Sequence, residues 1–325
     1  MTGIAPWITF RPEIKVLDCT VRDGGLMNDS KFSDDFVRAV YEACVAAGLD
    51  YMEIGYKNSH AVFPKDKYGP WRHCDEEDVY RIVGENNTGL KLSAMADSGG
   101  KSDWEKQIIP ADQSPLDMIR VATYVNQMPE AVEMIHHCHE MGYETTCNIM
   151  AISAAQDAEI DQALELIAPT PCSTVVIVDS FGALYSEQIA LLVQRYQKAM
   201  EGTGKEIGIH AHNNQQLAFA NTIEAIIRGA NRIDATMMGL GRGAGNCPME
   251  LLMGFLRNPK FNNRPIWQLL EERFVQLATE MDWGPHPQYI MAGQMNLHPR
   301  EAMEARGGEK IHKFVEFYDT CVRDV

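Results

Sequence analysis

Two histidines separated by a single residue are the part of this chain best suited to chemistry. His210 and His212 stand in the segment Ile207–His212, whose apolar and β-branched residues predict a strand. Residues two apart on a strand point to the same face, so both imidazoles are expected to face one point while Ala211 faces away. Imidazole nitrogens arranged in this way bind a divalent metal ion well. The alternative is that the two rings pack together or line a polar cleft.

A carboxylate that could complete a metal site follows the first predicted strand. It is Asp23, in the turn Arg22-Asp23-Gly24-Gly25. Two histidines and one carboxylate leave about three positions free on an octahedral ion. A substrate with a carboxylate beside a ketone can occupy two of them, and the ion then acts as a Lewis acid on the keto oxygen. Arg22 keeps its charge and suits the oxyanion that develops there; a structural ion pair is the alternative.

A glycine-rich segment, Gly239–Asn246, reads GLGRGAGN and follows the last predicted strand. Glycine at alternate positions lets the backbone approach a metal ion or a substrate closely. The spacing also resembles a dinucleotide-binding loop, but the following strand and the acidic residue about twenty positions on are missing. An anion-binding loop and a simple tight turn remain as alternatives.

Composition excludes several classes of partner. The chain has 325 residues and a formal net charge of −16, which disfavours nucleic acid and anionic membranes as partners. No apolar run is long enough to span a bilayer, and we identify no secretory leader. Eight cysteines occur without a C-x-x-C pair, as expected for reduced thiols. We therefore expect a cytoplasmic protein.

Short apolar runs alternate with amphipathic stretches along most of the chain. The predicted strands are Ile14–Cys19, Tyr51–Gly55, Lys91–Ala96, Met118–Thr123, Glu144–Ala151, Thr174–Asp179, Ile207–His212 and Arg232–Met237. The clearest helical patterns are Ser33–Ala46, Pro129–Met141, Asp157–Ile167, Ser186–Met200 and Gln216–Gly229. Eight strands, each followed by a helix, predict an α/β fold of the (β/α)8 TIM-barrel type, although the third and fourth helices are weakly patterned.

The predicted barrel occupies residues 1–256 and is followed by a mostly helical C-terminal lobe, residues 257–325. A polar, proline-containing break, Arg257–Pro265, separates the two. Active groups of such barrels lie at the carboxyl ends of the strands. Strands one, seven and eight are neighbours in a closed barrel, so Asp23, His210, His212 and Asn246 should converge.

Four motifs together resemble one family. Leu17–Gly25 (LDCTVRDGG), Val178–Ala183, His210–Asn213 and Gly239–Asn246 resemble, in order and spacing, the DRE-TIM metallolyase superfamily of hydroxymethylglutaryl-CoA lyase-like barrels. Within it the chain is most similar to the 4-hydroxy-2-oxovalerate aldolases, whose glycine-rich loop is also followed by N-x-P-x-E, here Asn246–Glu250. These enzymes split a 4-hydroxy-2-oxoacid into pyruvate and an aldehyde.

The resemblance implies a site and an activity. The implied metal ligands are Asp23, His210 and His212, with Asn246 as a further oxygen ligand, and the implied ion is Mn²⁺ or Mg²⁺. Arg22 is implied to stabilise the enolate, and Ser180 to contact the substrate. The activity implied is that of a divalent-metal-dependent carbon–carbon lyase, an aldolase that acts on a 2-oxoacid through a metal-bound enolate of the pyruvate type.

One position departs from the aldolase pattern. Leu26 stands where that group carries its basic histidine, immediately after the Arg22–Gly25 turn. The base must then come from elsewhere, and the tail segment Tyr289–Pro299 (YIMAGQMNLHP) offers Tyr289 and His298, since an appended lobe could cover the mouth of the barrel.

Two other functions remain open at this stage. One is a Claisen-type condensation of an acyl-CoA with a 2-oxoacid, as in isopropylmalate synthase, although Gly25 and Leu26 replace the Glu-Gln pair usual there. The other is an inactive barrel that serves as a partner subunit, for example in a channelling complex with an aldehyde dehydrogenase. The apolar tail also leads us to expect a homo-oligomer.

Overall fold

Eight parallel strands form a closed barrel in the computed structural model of the chain, which describes residues 11–307 and 311–323. The strands follow one another in sequence order, and β1 closes the barrel by pairing with β8, Lys15 opposite Arg232. The strands are β1 (Lys15–Asp18), β2 (Tyr51–Tyr56), β3 (Lys91–Asp97), β4 (Met118–Thr123), β5 (Glu144–Ile149), β6 (Thr174–Asp179), β7 (Glu206–Ala211) and β8 (Arg232–Ala235). The predicted (β/α)8 fold is therefore confirmed.

Helices cover the outside of the barrel and continue into the tail. They are α1 (Thr20–Gly24), α2 (Asp34–Ala47), α3 (Glu76–Val83), α4 (Trp104–Gln107), α5 (Met128–Glu140), α6 (Asp157–Ile167), α7 (Ser186–Ala199), α8 (Ala218–Ile227), α9 (Met249–Leu256), α10 (Arg264–Leu269), α11 (Val275–Glu280), α12 (Pro287–Gln294), α13 (Arg300–Arg306) and α14 (Phe314–Arg323). One π-helical turn, Leu270–Phe274, joins α10 to α11.

The first long helix illustrates how local sequence sets these elements. The Ser33 hydroxyl accepts a hydrogen bond of 3.2 Å from the Phe36 amide and so caps the N-terminus of α2. Gly48 ends the helix in the left-handed conformation, with φ of 71°. The face that carries Val37, Val40 and Cys44 is buried against the barrel.

The connection between β3 and β4 contains only one short helix. Here α4 is a single turn of four residues, Trp104–Gln107, and the rest of the connection is loop and 3₁₀ structure. Pro110 cannot donate a backbone hydrogen bond, which disfavours a longer helix. The helical pattern of this part of the sequence is weak because the connection contains only one helical turn.

The tail packs in two parts. The helix that begins at Arg264 lies against the barrel, and its Phe274 ring lies 5.5 Å from the Phe36 ring of α2. A separate apolar cluster links α12, α13 and α14 to Ala244 of the glycine-rich loop. This cluster places the end of the tail over the C-terminal side of β8. The predicted division into residues 1–256 and 257–325 stays a prediction.

Helices long and apolar enough to cross a membrane were sought in the described part of the chain, and none was found.

Candidate metal centre

Asp23, His210 and His212 meet at the carboxyl ends of β1 and β7. One ligand atom from each lies within 4.8 Å of the others, and all three side chains are buried. His210 points into the barrel from β7, and His212 follows that strand by one residue, with its Nδ1 4.0 Å from Asp23 Oδ2. The two imidazole rings meet edge to face, with centroids 5.1 Å apart. The spacing of two along the strand therefore directs both rings to one place, while Ala211 packs in the outer core.

A carboxylate from β8 fixes the orientation of His210. Asp234 Oδ2 lies 3.0 Å from His210 Nδ1 and also accepts a hydrogen bond of 2.6 Å from Arg120 Nη2. The Asp234 carboxylate stays ionised: burial would raise its pKa, but Arg120 and His210 lower it below the usual value. With the Nδ1 proton directed to Asp234, the lone pair of His210 Nε2 is free for a metal ion.

Our sequence reasoning missed Asp234 and Arg120. Asp234 lies two residues after Arg232 and on the same face of β8, so strand alternation could have placed it inside the barrel. For Arg120, in the middle of β4, the only available signal was a charged residue within an otherwise apolar strand.

Arg22 lies in a buried chain of charges. Its Nη1 donates to Asp23 Oδ1 at 2.7 Å, and its Nε donates to Glu53 Oε2 at 2.6 Å. The same Glu53 oxygen accepts from Arg120 at 3.1 Å. Burial alone would raise the pKa of Asp23, but the Arg22 guanidinium and the nearby histidines hold it well below its usual value. Asp23 is therefore a carboxylate at neutral pH and suited to ligate a cation.

The glycine-rich loop brings Asn246 to the same place. Asn246 Nδ2 donates to Asp23 Oδ2, and an isolated β-bridge joins Asn246 to His212. A Cβ atom at Gly241 would collide with both the Asp23 carboxylate and the Asn246 amide. Glycine is therefore needed at position 241 because the backbone passes directly over these side chains. The predicted convergence of Asn246 with the other three residues is seen in the geometry.

The donor atoms of this cluster fit a divalent cation. His210 Nε2, His212 Nδ1 and Asn246 Oδ1 are buried without a hydrogen-bond partner among the described residues. Unpartnered buried polar atoms are costly, and a cation held by these three atoms and the carboxylate would satisfy them. Burial, the largest cause, lowers the pKa of His212 well below its usual value, so its ring is neutral and free to coordinate. Nitrogen and oxygen donors of this kind suit Mn²⁺, Mg²⁺ and Zn²⁺.

A second triad, Cys19, His210 and Asp234, also lies close enough to hold an ion. In this triad the Asp234 oxygen is already occupied, because His210 Nδ1 and Arg120 both bind it. Cys19 Sγ donates to the Ala235 carbonyl at 3.4 Å, and burial raises the pKa of its thiol well above the usual value. This triad supports His210 and leaves no open position for a cation.

Ser180 lies in the loop after β6, on the same side of the barrel. Its hydroxyl oxygen accepts a hydrogen bond of 2.8 Å from the Ala151 amide, in a turn where Ala151 has φ of 49°. The Ser180 carbonyl accepts from Arg242 Nη2 of the glycine-rich loop. Ser180 thus holds two loops in place, while its hydroxyl proton can still be donated to a substrate.

The two candidate bases in the tail lie in different surroundings. Tyr289 of α12 is buried, its ring packs against Gly243, and burial raises the pKa of its hydroxyl to about 12. His298 is exposed and meets the Phe181 ring edge to face, with centroids 5.5 Å apart. Partial burial and the cations Arg242, Arg300 and Lys101 lower the pKa of His298 to about 4. Tyr289 therefore lies behind the glycine-rich loop, and His298 lies beside the loop that carries Ser180.

An apolar wall borders the site on its other side. Leu26 packs there with Tyr56, Met95 and Met150 at the ends of β2, β3 and β5. The Tyr56 ring centre lies 5.9 Å from the Arg22 guanidinium carbon. Leu26 thus forms part of a surface that a substrate side chain could contact, and it has no group that could transfer a proton.

Comparison with known proteins places the chain in a family. The model of the HMGL-like family matches residues 117–268. An oxaloacetate decarboxylase from Mycobacterium tuberculosis is 30% identical over 243 residues, which are 74% of this chain and 69% of that protein. The chain belongs to the HMGL-like family. This result confirms the predicted DRE-TIM superfamily, and with it an enzyme of the lyase and aldolase class that works with a divalent metal ion.

Other relatives agree with this placement. The 4-hydroxy-2-oxovalerate aldolase of Thermus thermophilus is 28% identical over 86% of this chain and 79% of its own length. The N-terminal domain of a protein from Bacteroides vulgatus superposes with a TM-score of 0.77 at 28% identity, over 90% of this chain and 96% of that one. The hydroxymethylglutaryl-CoA lyase of Pseudomonas aeruginosa has the same fold, with a TM-score of 0.66 at 16% identity.

Proposed function

We propose that the chain is a divalent-metal-dependent aldolase that cleaves a 4-hydroxy-2-oxoacid into pyruvate and an aldehyde, and that it catalyses the reverse condensation. The observation that carries this proposal is the buried cluster of Asp23, His210 and His212 with the Arg22 guanidinium directly beside it. A metal site next to a fixed cation suits a reaction in which negative charge develops on a 2-oxo oxygen.

In this proposal Asp23, His210 and His212 hold the ion, with Asn246 supplying a further oxygen. The ion, Mn²⁺ or Mg²⁺, supplies Lewis acidity to the 2-oxo oxygen when it is bound. The Asp234 carboxylate keeps His210 in the required tautomer, and the glycine at position 241 makes room for Asp23 and Asn246.

Arg22 stabilises the charge that develops during cleavage. Two of its nitrogens are held by Asp23 and Glu53, and Nη2 has no protein partner among the described residues. Because Glu53 and Asp23 fix the guanidinium plane, Nη2 is oriented before the substrate arrives. Such a preorganised donor strengthens as charge builds on the substrate oxygen.

Cleavage also requires that a base remove the proton of the 4-hydroxyl group and that a proton be returned to carbon 3. Leu26 can do neither, so Tyr289 and His298 are our candidates. His298 is neutral at pH 7, because its pKa lies near 4, and it is exposed beside Phe181 and Ser180. The Tyr289 hydroxyl, with a pKa near 12, is better suited to donate or hold a proton than to remove one.

Three finer features complete the proposal. The aldehyde product is reactive, which favours an aldehyde dehydrogenase as a partner that receives it. Exposed apolar side chains such as Leu191, Val275 and Val315 favour a homo-oligomer. The reduced cysteines favour a cytoplasmic location.

The proposal is tested by deuterium exchange into the methyl group of pyruvate, followed by NMR. We expect the purified chain to catalyse exchange with Mn²⁺ and to lose it after chelation. His212→Ala should abolish metal binding and exchange while the barrel stays folded. His139→Ala, which removes an exposed imidazole at the end of α5, is the matched control and should keep both.

Exchange that persists without metal would overturn the proposal, and so would full activity in the His212→Ala variant. Absence of exchange together with thiol release from acetyl-CoA would instead favour the Claisen-type synthase.

A further inference from the structure

Arg72 is a cation near the site that has no counter-ion among the residues the structure describes. It lies in the loop between β2 and α3, and its guanidinium carbon is 4.1 Å from the Phe63 ring centre, 4.5 Å from Tyr56 and 5.4 Å from Tyr68. Its Nε is buried without a hydrogen-bond partner, and no carboxylate of the described residues forms an ion pair with it. Aromatic faces attract the charge but do not neutralise it.

The position of Arg72 is fixed by its neighbours. Trp71 is fully buried, and its indole N–H donates to the Phe32 carbonyl at 2.8 Å. The backbone of Trp71 passes so close to Gly55 of β2 that a Cβ there would collide with the Trp71 carbonyl. His73, on the other side, is also buried. The loop therefore holds the Arg72 guanidinium at one place on the C-terminal side of β2.

That place adjoins the proposed active site. Two guanidinium groups lie near the Tyr56 ring, with the Arg22 carbon 5.9 Å from its centre and the Arg72 carbon 4.5 Å from it. Arg72 and the residue that stabilises the developing charge therefore lie near the same aromatic ring. Tyr56 also belongs to the apolar wall with Leu26 and Met95. A short substrate that extends from Arg22 along this wall would bring its far end to Arg72.

Arg72 is partly buried in a chain with a net charge of −16, and so is Arg242, whose Nε is also buried without a partner. Arg242 donates to the Ser180 carbonyl, whereas the Arg72 guanidinium donates to no group of the described residues. By comparison, each fully buried lysine or arginine of the described residues has a carboxylate within ion-pair distance. These cations are Arg22, Lys57, Arg120 and Arg232.

The acids near Tyr56 are Asp97 and Asp23. Asp97 accepts a hydrogen bond of 2.9 Å from Asn58, and Asp23 pairs with Arg22. The counter-ion that Arg72 lacks is therefore best supplied by a ligand.

We propose that Arg72 binds an anionic group at the end of the substrate remote from the 2-oxoacid. This inference rests on the proposed aldolase function and names its substrate class: 4-hydroxy-2-oxoacids formed from pyruvate and an aldehyde that carries a carboxylate or a phosphate. In the condensation, the pyruvate methyl carbon loses a proton to the base and bonds to the aldehyde carbon, whose oxygen takes up a proton. Arg72 takes no part in these steps and determines which aldehyde is used.

Matched aldehydes test this inference in the full chain with Mn²⁺ and saturating pyruvate. Butanal and 4-oxobutanoate differ only by a terminal carboxylate, and glyceraldehyde and glyceraldehyde 3-phosphate differ only by a phosphate. We expect kcat/KM to be at least about tenfold higher for the anionic member of one pair, and the pair that shows it identifies the group. Arg72→Gln should reduce that ratio about tenfold or more, and Arg72→Lys should restore part of it.

Arg195→Gln is the matched control, because it removes a partly buried arginine that pairs with Asp157 and Asp161 on the outside of the barrel. In Arg195→Gln, the ratio of kcat/KM for the anionic aldehyde to kcat/KM for the neutral one should equal that of the wild type. A wild-type preference for the neutral aldehydes would overturn the inference without any variant, and so would an unchanged ratio in folded Arg72→Gln. If pyruvate exchange persists in either case, the aldolase function stands and only the role of Arg72 is wrong. Absence of wild-type exchange would overturn both.

Discussion

Replacing Asp234 by asparagine tests how much the residue that orients His210 contributes to metal binding, while the three proposed metal ligands stay unchanged. Asp234 is not a metal ligand in this proposal, yet one of its oxygens holds both His210 Nδ1, at 3.0 Å, and Arg120 Nη2, at 2.6 Å. An asparagine oxygen can accept the same two hydrogen bonds but carries no charge. The imidazole of His210 then becomes less basic and less firmly oriented toward the ion.

The expected loss of metal affinity is about 10- to 100-fold, the usual effect of weakening such a supporting carboxylate. This loss corresponds to about 1.4 to 2.7 kcal/mol of binding free energy. The protein should also become less stable, because Arg120 loses one of its two buried carboxylate partners. Glu53 remains 3.1 Å from Arg120, so the cost should stay below the roughly 3–5 kcal/mol typical of a fully broken buried pair.

Calorimetric titration of metal-free protein with Mn²⁺ measures the affinity, and urea unfolding measures the stability. Glu144→Gln is the matched control, since it also removes one partly buried negative charge from an ion-pair network, at the opposite end of the barrel beside Arg232. It should lower the stability and leave the Mn²⁺ affinity unchanged. Equal Mn²⁺ affinities for Asp234→Asn and the wild type would refute this reasoning, and so would a matching loss of affinity in Glu144→Gln.

Two further predictions concern the base and the stability at low pH. His298→Asn should slow aldol cleavage at least tenfold if that imidazole is the base, and the wild-type activity should then fall as the pH drops through about 4, where His298 becomes protonated. Tyr289→Phe should slow cleavage instead if its hydroxyl moves the proton, and an unchanged turnover in either variant removes that residue as a candidate. Arg232 and Lys91 overcome the effect of burial and lower the pKa of Glu144 from about 4.5 to about 2. Because the folded-state pKa is lowered, this carboxylate stabilises the protein above pH 4.5, and the stabilisation is lost as the pH falls toward 2. The difference in unfolding free energy between wild type and Glu144→Gln should accordingly shrink between pH 5 and pH 2. A difference that stays constant over this range would contradict the proposed stabilisation by ionised Glu144.

The periodicity of the sequence was sufficient to predict the architecture. Two strands, Met118–Thr123 and Thr174–Asp179, have the predicted bounds, because both are apolar runs that end at a polar residue or a turn. The others differ by one or two residues at their ends, where backbone pairing stops gradually. The connection that holds α4 was the weakest prediction, since a single helical turn of four residues leaves no periodic pattern to detect.

The candidate ligands were also predictable, because they depend on local rules. Two residues apart on a strand must share a face, which brings His210 and His212 together. The carboxyl ends of parallel strands must share an edge of the barrel, which adds Asp23 and Asn246. Neither rule needs knowledge of how distant segments pack.

The tertiary structure alone decided which residues support that site and which surround it. Arg120 reaches Glu53 of β2 and Asp234 of β8 across the barrel interior, over separations of 67 and 114 residues. The counter-ion that Arg72 lacks, and the place of Tyr289 behind the glycine-rich loop, are likewise properties of folded surroundings. A sequence pattern records which face of its own strand or helix a side chain occupies, because that follows from backbone geometry. It does not record what lies opposite that face, since this depends on how the closed barrel packs the remaining elements around it.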